Sequence, residues 1–589
     1  MTSIDELFKK SGLPSKRKLD LVRDPTEIYK FAKHARVEDA PSPPAGPLAP
    51  TSDDDDDEGD YGPSAPPDND DDEANDDPEG RFFGSGITAT ERVALDFMDA
   101  ANLPDDAAAE EPLYTPAWLK RTSVALTKKI ARNADLRARF ADDPARFIDS
   151  EADLDAAVRG LSVLAEHAEL YPEFVSLGCV ESLLGLLAHE NTDIALAAVE
   201  IVGELTDEDV NASEEEWWVL VDGLVEGGLV GLVVSNLARL DEKEETDREG
   251  VYRALGVVEN LCSRGETAEK VGQEEGLVKW LLERVGREER PVGQNKQYAA
   301  EVLAIIVSGS RGNRKVLAGL DAVDAMLQLV AAYRKRDPEK GGDEEEYMEN
   351  LFEALTSLVD EPEGKAKFVE AEGVELCLLM IKEGKLSKPA GLRLLDHATG
   401  GAAGTGVCEK IVEAGGLKTV FTTFIKKHDR QLTEHLVGIF ASMLRLLPAE
   451  SPERIRTLAK FVEKDYEKTD KLVKLRGEYA ARMRAVDGRI AQEKRGMDAQ
   501  EQEDMAGEWF SRRLDAGLFC LQTIDVILAW LVAEDDGAGK KIRALLGERG
   551  ETVAVVRETI QEQIDGIDVE SEESKEMREM LATLVRFLQ

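Results

Sequence analysis

Across residues 151–209 the apolar positions return three and four apart. Val158, Leu161 and Leu164 form one run, and Leu183, Leu184, Leu186 and Leu187 a second. Ala198, Val199, Val202 and Leu205 form a third. That is the period of a helix. Tyr171-Pro172 predicts a break after the first helix, and Gly178 a turn before the second. Residues 189–193 form a polar turn whose Asn191, Thr192 or Asp193 can cap the third helix. The unit reads helix, turn, helix, turn, long helix. One such unit cannot bury both of its apolar faces, so it needs neighbours stacked against it.

The neighbours are present. A glycine or leucine lead, a short apolar helix, a polar turn and an alanine-bearing helix recur over 228–261, 276–306, 320–358, 373–398 and 415–444. The anchors return at roughly 45–50 residues, the period of armadillo or HEAT repeats with long connections. The predicted fold class is all-α, an armadillo/HEAT-like right-handed superhelical solenoid with a helical N-terminal cap and a C-terminal helical region. Charged inserts at 207–217, 240–249 and 335–346 are expected to project as loops.

The pattern changes on either side. Residues 118–141 and 145–150 read as the cap that shields the first stacking face. An apolar stripe from Ile455 to Ile490 predicts one long helix or two, packed on the last repeat or paired with a second chain. Residues 507–532 predict a second long helix, and 551–564 and 572–588 two closing ones. The expected organisation is a disordered region at 1–80, a linker at 81–112 with a short apolar helix near 93–98, the solenoid at 113–450 and a helical domain at 451–589.

Composition narrows the function. A net charge of −46 repels nucleic acid phosphate over any broad surface and favours basic protein partners. The 5 cysteines are scattered, which argues for buried thiols in a reducing compartment. No apolar run reaches the roughly 18 residues of a spanning helix, and there is no apolar signal core, so neither membrane nor secretion is expected. Lys16, Arg17 and Lys18, with Lys9 and Lys10 upstream, fit a nuclear localisation signal. The proline-rich and acidic stretch 41–80 cannot bury a core.

Catalytic chemistry finds no footing. The 6 histidines show no metal spacing; His428 and His435 share a helix face, but no cysteine or carboxylate completes a set. The run from Gly400 to Gly406 lacks the lysine and hydroxyl that end a phosphate loop, and it follows a helix rather than a strand. No enzyme, cofactor or metal is expected.

Several segments carry a resemblance. NTDIALAAVEIVGELTDED (191–209), NLARLDEKEE (236–245), NKQYAAEVLAII (295–306), YMENLFEAL (347–355), LRLLDHA (392–398) and RRLDAGLFCLQ (512–522) closely resemble the beta-catenin-like protein family. The resemblance runs from about Leu113 to the C-terminus. It implies a nuclear, spliceosome-associated armadillo scaffold of the nineteen-complex group, whose groove docks basic localisation-like segments of splicing proteins.

In an importin-type groove a tryptophan and, four residues on, an asparagine of each third helix clamp a basic peptide. The equivalent positions here are Glu200, Gly256, Glu301 and Glu353, then Glu204, Asn260, Ile305 and Ser357. The stacking tryptophans are missing and carboxylates replace them, at i and i+4 for Glu200 and Glu204. Glu200, Glu204, Asn260, Glu301, Glu353 and Ser357 are therefore the expected groove residues, an acidic ladder for Lys/Arg-rich segments. An importin-alpha-like transport adaptor is the alternative. A homodimer through the C-terminal helices is open.

Overall fold

A computed structural model describes residues 114–426, 430–568 and 571–588. Lys16, Arg17, Lys18, the acidic stretch, the helix expected at 93–98 and His428 lie outside the described residues. The described residues are helical throughout, with no strand among them. The fold is an all-α armadillo solenoid.

Each repeat ends in a long third helix, and these helices lie side by side. The row begins with the cap helix Ile148–Arg159 and continues through Thr192–Leu205, Glu245–Leu261, Gln294–Gly309, Asp343–Leu358, Ser387–Thr399 and Arg430–Leu446. Leu518–Glu534 of the C-terminal region extends it. Thr192–Leu205 shows why the row forms: Ile194 to Val199, Ile201, Val202 and Leu205 are all buried, which one neighbour could not achieve. The expected cap of this helix is real, since the Asn191 side chain accepts from the Asp193 amide at 2.9 Å. All 5 cysteines are buried.

The first repeat differs from expectation at Pro172. The proline opens the short helix Tyr171–Ser176 instead of breaking one, because a missing N–H costs nothing in the first turn. Gly178 sits at φ 70 before Cys179–Leu187, a left-handed position suited to glycine.

The charged inserts are also corrected. Their second halves are helix starts: Glu214–Glu226, Glu245–Leu261 and Asp343–Leu358. Ser213 and Glu216 form a capping box on the first of these. The second insert does not project. Glu242 folds back onto Arg284, whose side chain is 4% exposed, at 2.8 Å, and also meets Arg287 at 3.0 Å.

Repeats are joined by polar groups as well as apolar ones. Asn236 donates to the Leu187 carbonyl at 2.9 Å. Asn313 donates to the carbonyls of Ala268 at 2.7 Å and Ile306 at 3.1 Å. The Tyr347 hydroxyl reaches the Val285 carbonyl at 2.7 Å, and Ser387 the Tyr333 carbonyl at 2.9 Å. The carbonyls of Leu187, Val285, Ile306 and Tyr333 are ones left bare where a helix ends.

The C-terminal stripe forms Pro452–Glu493, which packs in cis on the last repeat and on Leu518–Glu534. It is broken at 463–466, where Lys464, Asp465 and Tyr466 all have positive φ. Lys468, 4% exposed, holds Glu463 at 2.8 Å beside this break. The second long helix expected at 507–532 is two helices, Ala506–Asp515 and Leu518–Glu534, bent by 63°. Gly517 is the joint, at φ 99, and a Cβ there would lie 2.5 Å from the Tyr479 ring. The closing helices are Ala554–Asp565 and Glu572–Phe587.

Two buried polar clusters fix this region. Arg454 donates to the Leu444 and Leu447 carbonyls at 2.5 and 2.8 Å, and to Glu534 at 2.9 Å. Its guanidinium lies 4.9 Å from the Trp530 ring centroid. Deeper in, Arg476 donates to Asp525 at 2.7 Å and to Glu551 at 3.2 Å. Burial pushes the Asp525 carboxyl up to about 7, against the pull of Arg476.

Arg454→Leu leaves Glu534 and two carbonyls uncompensated in the interior. It should cost about 3–5 kcal/mol. Urea unfolding measures the loss, and hydrogen exchange should show Pro452–Glu493 and Leu518–Glu534 opening before the repeats do.

Asp525 also predicts a pH dependence. Its folded pKa lies above the unfolded value of about 3.9, so folding takes up a proton. The stabilisation is complete below about pH 4 and is lost as pH rises through 7. Unfolding curves at pH 5, 6 and 7 should show wild type weakening relative to Asp525→Asn.

Candidate functional site

The third-helix row sets the candidate groove. A residue on one of these helices projects from the same face as its counterpart on the next, because the helices lie side by side at matched register. Glu200, Glu204, Asn260, Glu301, Glu353 and Ser357 come from four consecutive third helices, and all six are half-buried. Gly256 is buried and Ile305 half-buried. The sequence register therefore brings these positions onto one row.

Their chemistry differs along the row. Glu200 is held by two arginines. One oxygen, Oε2, lies 2.5 Å from Arg159 of the cap helix and 2.7 Å from Arg253 of the next third helix. Arg159 also meets Asp155 at 3.0 Å, and Arg253 reaches Glu249 at 4.0 Å. The result is an alternating line: Asp155, Arg159, Glu200, Arg253, Glu249. Burial works against the Arg159 charge, but hydrogen bonds to Asp155 and Glu200 outweigh it and hold its pKa above the ordinary value. Glu353 is likewise paired, with Arg393 of the following third helix at 3.1 Å.

Asn260 turns inward along the row. It donates to the Gly203 carbonyl at 2.9 Å and to Thr206 at 3.3 Å, closing the C-terminal end of the preceding third helix. Glu301 accepts from Gln297, one turn back, at 3.0 Å. Nearby, Tyr252 and Tyr298 lie 4.9 Å apart, ring to ring, and Tyr298 donates to Glu259.

Glu204 is different. It sits one turn beyond Glu200 on the same helix, and its Oε2 is buried with no hydrogen-bond partner among the described residues. A buried carboxylate oxygen without a donor is costly.

Two clefts run along the N-terminal half of the row. One, of about 520 Å³, lies between the cap helix and the first two third helices, and is lined by Ile148, Asp155, Asp193 and Leu196. The other, of about 810 Å³, lies over the second and third repeats and is lined by Glu242, Tyr252, Arg284 and Glu288. Glu249 and Arg253 line both, so the two are neighbours along one channel.

The arginines are what sequence reasoning missed. Arg253 stands three residues before Gly256, one turn away on the same face, and Arg393 pairs back onto the preceding third helix in the same way three repeats on. Tracing basic residues at i−3 from the aligned positions would have found Arg253. Their pairing across helices needed the structure.

A family model and two relatives match this chain over most of its length. The family described as "Catenin-beta-like, Arm-motif containing nuclear" matches residues 93–561. The Beta-catenin-like protein 1 homolog of Schizosaccharomyces pombe is 38% identical over 505 residues, covering 85% of this chain and 87% of that protein. Human Beta-catenin-like protein 1 is 37% identical over 463 residues, covering 76% and 82%. An engineered protein of known crystal structure aligns over 80% of this chain with a TM-score of 0.45 and 16% identity. With a family match across most of the described residues and two such relatives, the chain belongs to the catenin-beta-like, Arm-motif-containing nuclear family.

Proposed function

We propose that this chain is a non-enzymatic nuclear scaffold whose third-helix groove captures basic, localisation-like segments of splicing proteins. The observation that carries the groove reading is Glu204, a carboxylate whose buried oxygen has no donor among the described residues, on a face lined by acids. A lysine ammonium or an arginine fork supplies that donor. Nuclear residence is supported by the description of the family, and work in splicing by the resemblance of the repeat segments.

The groove chemistry separates this reading from a transport adaptor. No tryptophan occurs on the third helices from Thr192–Leu205 to Asp343–Leu358. Lysine stems therefore find no stacking slots, and recognition rests on charge. Such binding is fast, salt-sensitive and modest in strength. The arginines set a further limit. A basic peptide gains nothing from Glu200 unless Arg159 and Arg253 give way, so Glu204 is the better receptor.

Titration of the full chain with a fluorescein-labelled lysine-rich peptide, at about 50 and 150 mM salt, tests this. Glu204→Gln should weaken binding on the order of tenfold, the worth of one hydrogen bond to a charged group. Replacing Arg159 and Arg253 together by methionine should strengthen it, because only loss of both frees Glu200. Equal binding by wild type and both variants would reject the groove as the docking site.

A further inference from the structure

The chain carries 119 acidic residues against 73 basic ones, yet its first described helix is strongly basic. Pro116–Arg139 holds Lys120, Arg121, Lys128, Lys129, Arg132, Arg137 and Arg139 against the single acid Asp135. Tertiary contacts divide these cations into two groups. On the flanks they are engaged: Lys120 with Glu173 at 3.1 Å, Lys129 with the Asp153 carbonyl at 2.9 Å, and Arg137 with Glu151 and Glu190.

The outward group is another matter. Arg121, Lys128, Arg132 and Arg139 are separated by seven, four and seven residues, and all are exposed. At 3.6 residues per turn they fall within about 20° of one line parallel to the helix axis. At 1.5 Å per residue that line is about 27 Å long. Ala125 lies beside the line between Arg121 and Lys128, and Val124, 55% exposed, adds an apolar contact. Arg132 touches only Asp153, at 3.5 Å with both side chains more than half exposed. Arg121, Lys128 and Arg139 have no ion-pair partner among the described residues. Asp135 is the one carboxylate in the stripe.

We infer that this stripe is a docking surface for an acidic polypeptide segment of a partner protein. An extended chain advances about 3.3 Å per residue, so about eight residues span the four cations. Alternate residues point the same way, which places a carboxylate on one side every 6–7 Å or so. A guanidinium meets a carboxylate bidentately, and three of the four cations are arginines.

Nucleic acid offers the same negative charge but fits less well. Its strand carries phosphates past the roughly 27 Å of the stripe, and a chain of net charge −46 repels them there. A short acidic segment places its charge only on the stripe. This surface is independent of Glu204 and stands whether or not the groove binds basic segments.

The test uses the full chain and two labelled probes, a decapeptide of alternating aspartate and glutamate and a ten-uridine RNA. Anisotropy is read at about 50 mM salt, where surface charge is least screened. Wild type should bind the peptide more tightly than the RNA. Replacing Arg121, Lys128, Arg132 and Arg139 together by glutamate should weaken peptide binding at least tenfold. The same reversal of Lys340, Lys382, Lys418 and Arg456 should leave it unchanged. A matching set of four glutamine replacements, which keeps the helix surface and removes only charge, keeps the result readable if reversal lowers helicity. Equal peptide binding by wild type and the glutamine set would overturn the inference. So would an absence of peptide binding at this salt, or tighter binding of the RNA.

Discussion

A helix that stops every fifteen residues or so leaves carbonyls without donors, and the rest of this structure depends on how they are met. Apolar stacking alone fixes only that neighbouring repeats touch. The polar closures fix how they sit. Asn236, Asn313, Tyr347 and Ser387 each reach a carbonyl of another helix, in places that exclude water. A buried carbonyl left bare would cost more than the bond contributes when made, so these contacts penalise slippage between repeats. Asn260 does the same work inside the groove, which is why a position expected to meet a ligand is engaged with Gly203 and Thr206.

The groove is therefore a compromise between holding the row together and leaving chemistry free. Arg159, Arg253 and Arg393 tie adjacent third helices through Glu200 and Glu353. Those pairs cancel part of the negative potential that the glutamates would otherwise focus. What remains is local, the Glu204 oxygen that no described donor meets; the cleft acids Glu242, Asp155 and Glu249 are themselves paired with arginines. The high negative charge of the whole chain does not translate into a uniformly acidic trough, and the basic face of Pro116–Arg139 at the start of the solenoid makes the charge distribution more uneven still.

Much of this was legible in the sequence. The repeat period, the Asn191 cap and the turn at Gly178 follow from short-range patterns whose physics is local. That the six positions fall on successive third helices followed from register alone. What escaped was set by partners distant in the chain. Glu242 reads as part of a solvated loop until Arg284, 42 residues on, is placed beside it. Gly517 reads as a tolerable glycine inside a helix until the Tyr479 ring blocks a Cβ there. Pro172 was ambiguous because a proline ends one helix and begins another equally well.

Several of the polar closures share a direction, although Tyr171 and Lys365 donate to carbonyls later in the chain. Asn236 serves Leu187, Asn260 serves Gly203, Tyr347 serves Val285, Ser387 serves Tyr333 and Arg454 serves Leu444; each donor lies later in the chain than its acceptor. During synthesis the acceptor leaves the ribosome first. At 5–20 residues per second, a repeat of about 45 residues waits roughly 2–9 seconds for the residues that complete it. For these closures the growing end of the nascent chain is the part still waiting for its donor. Arg454 and Leu518–Glu534 close the row in the same sense, on the far side of the last repeat.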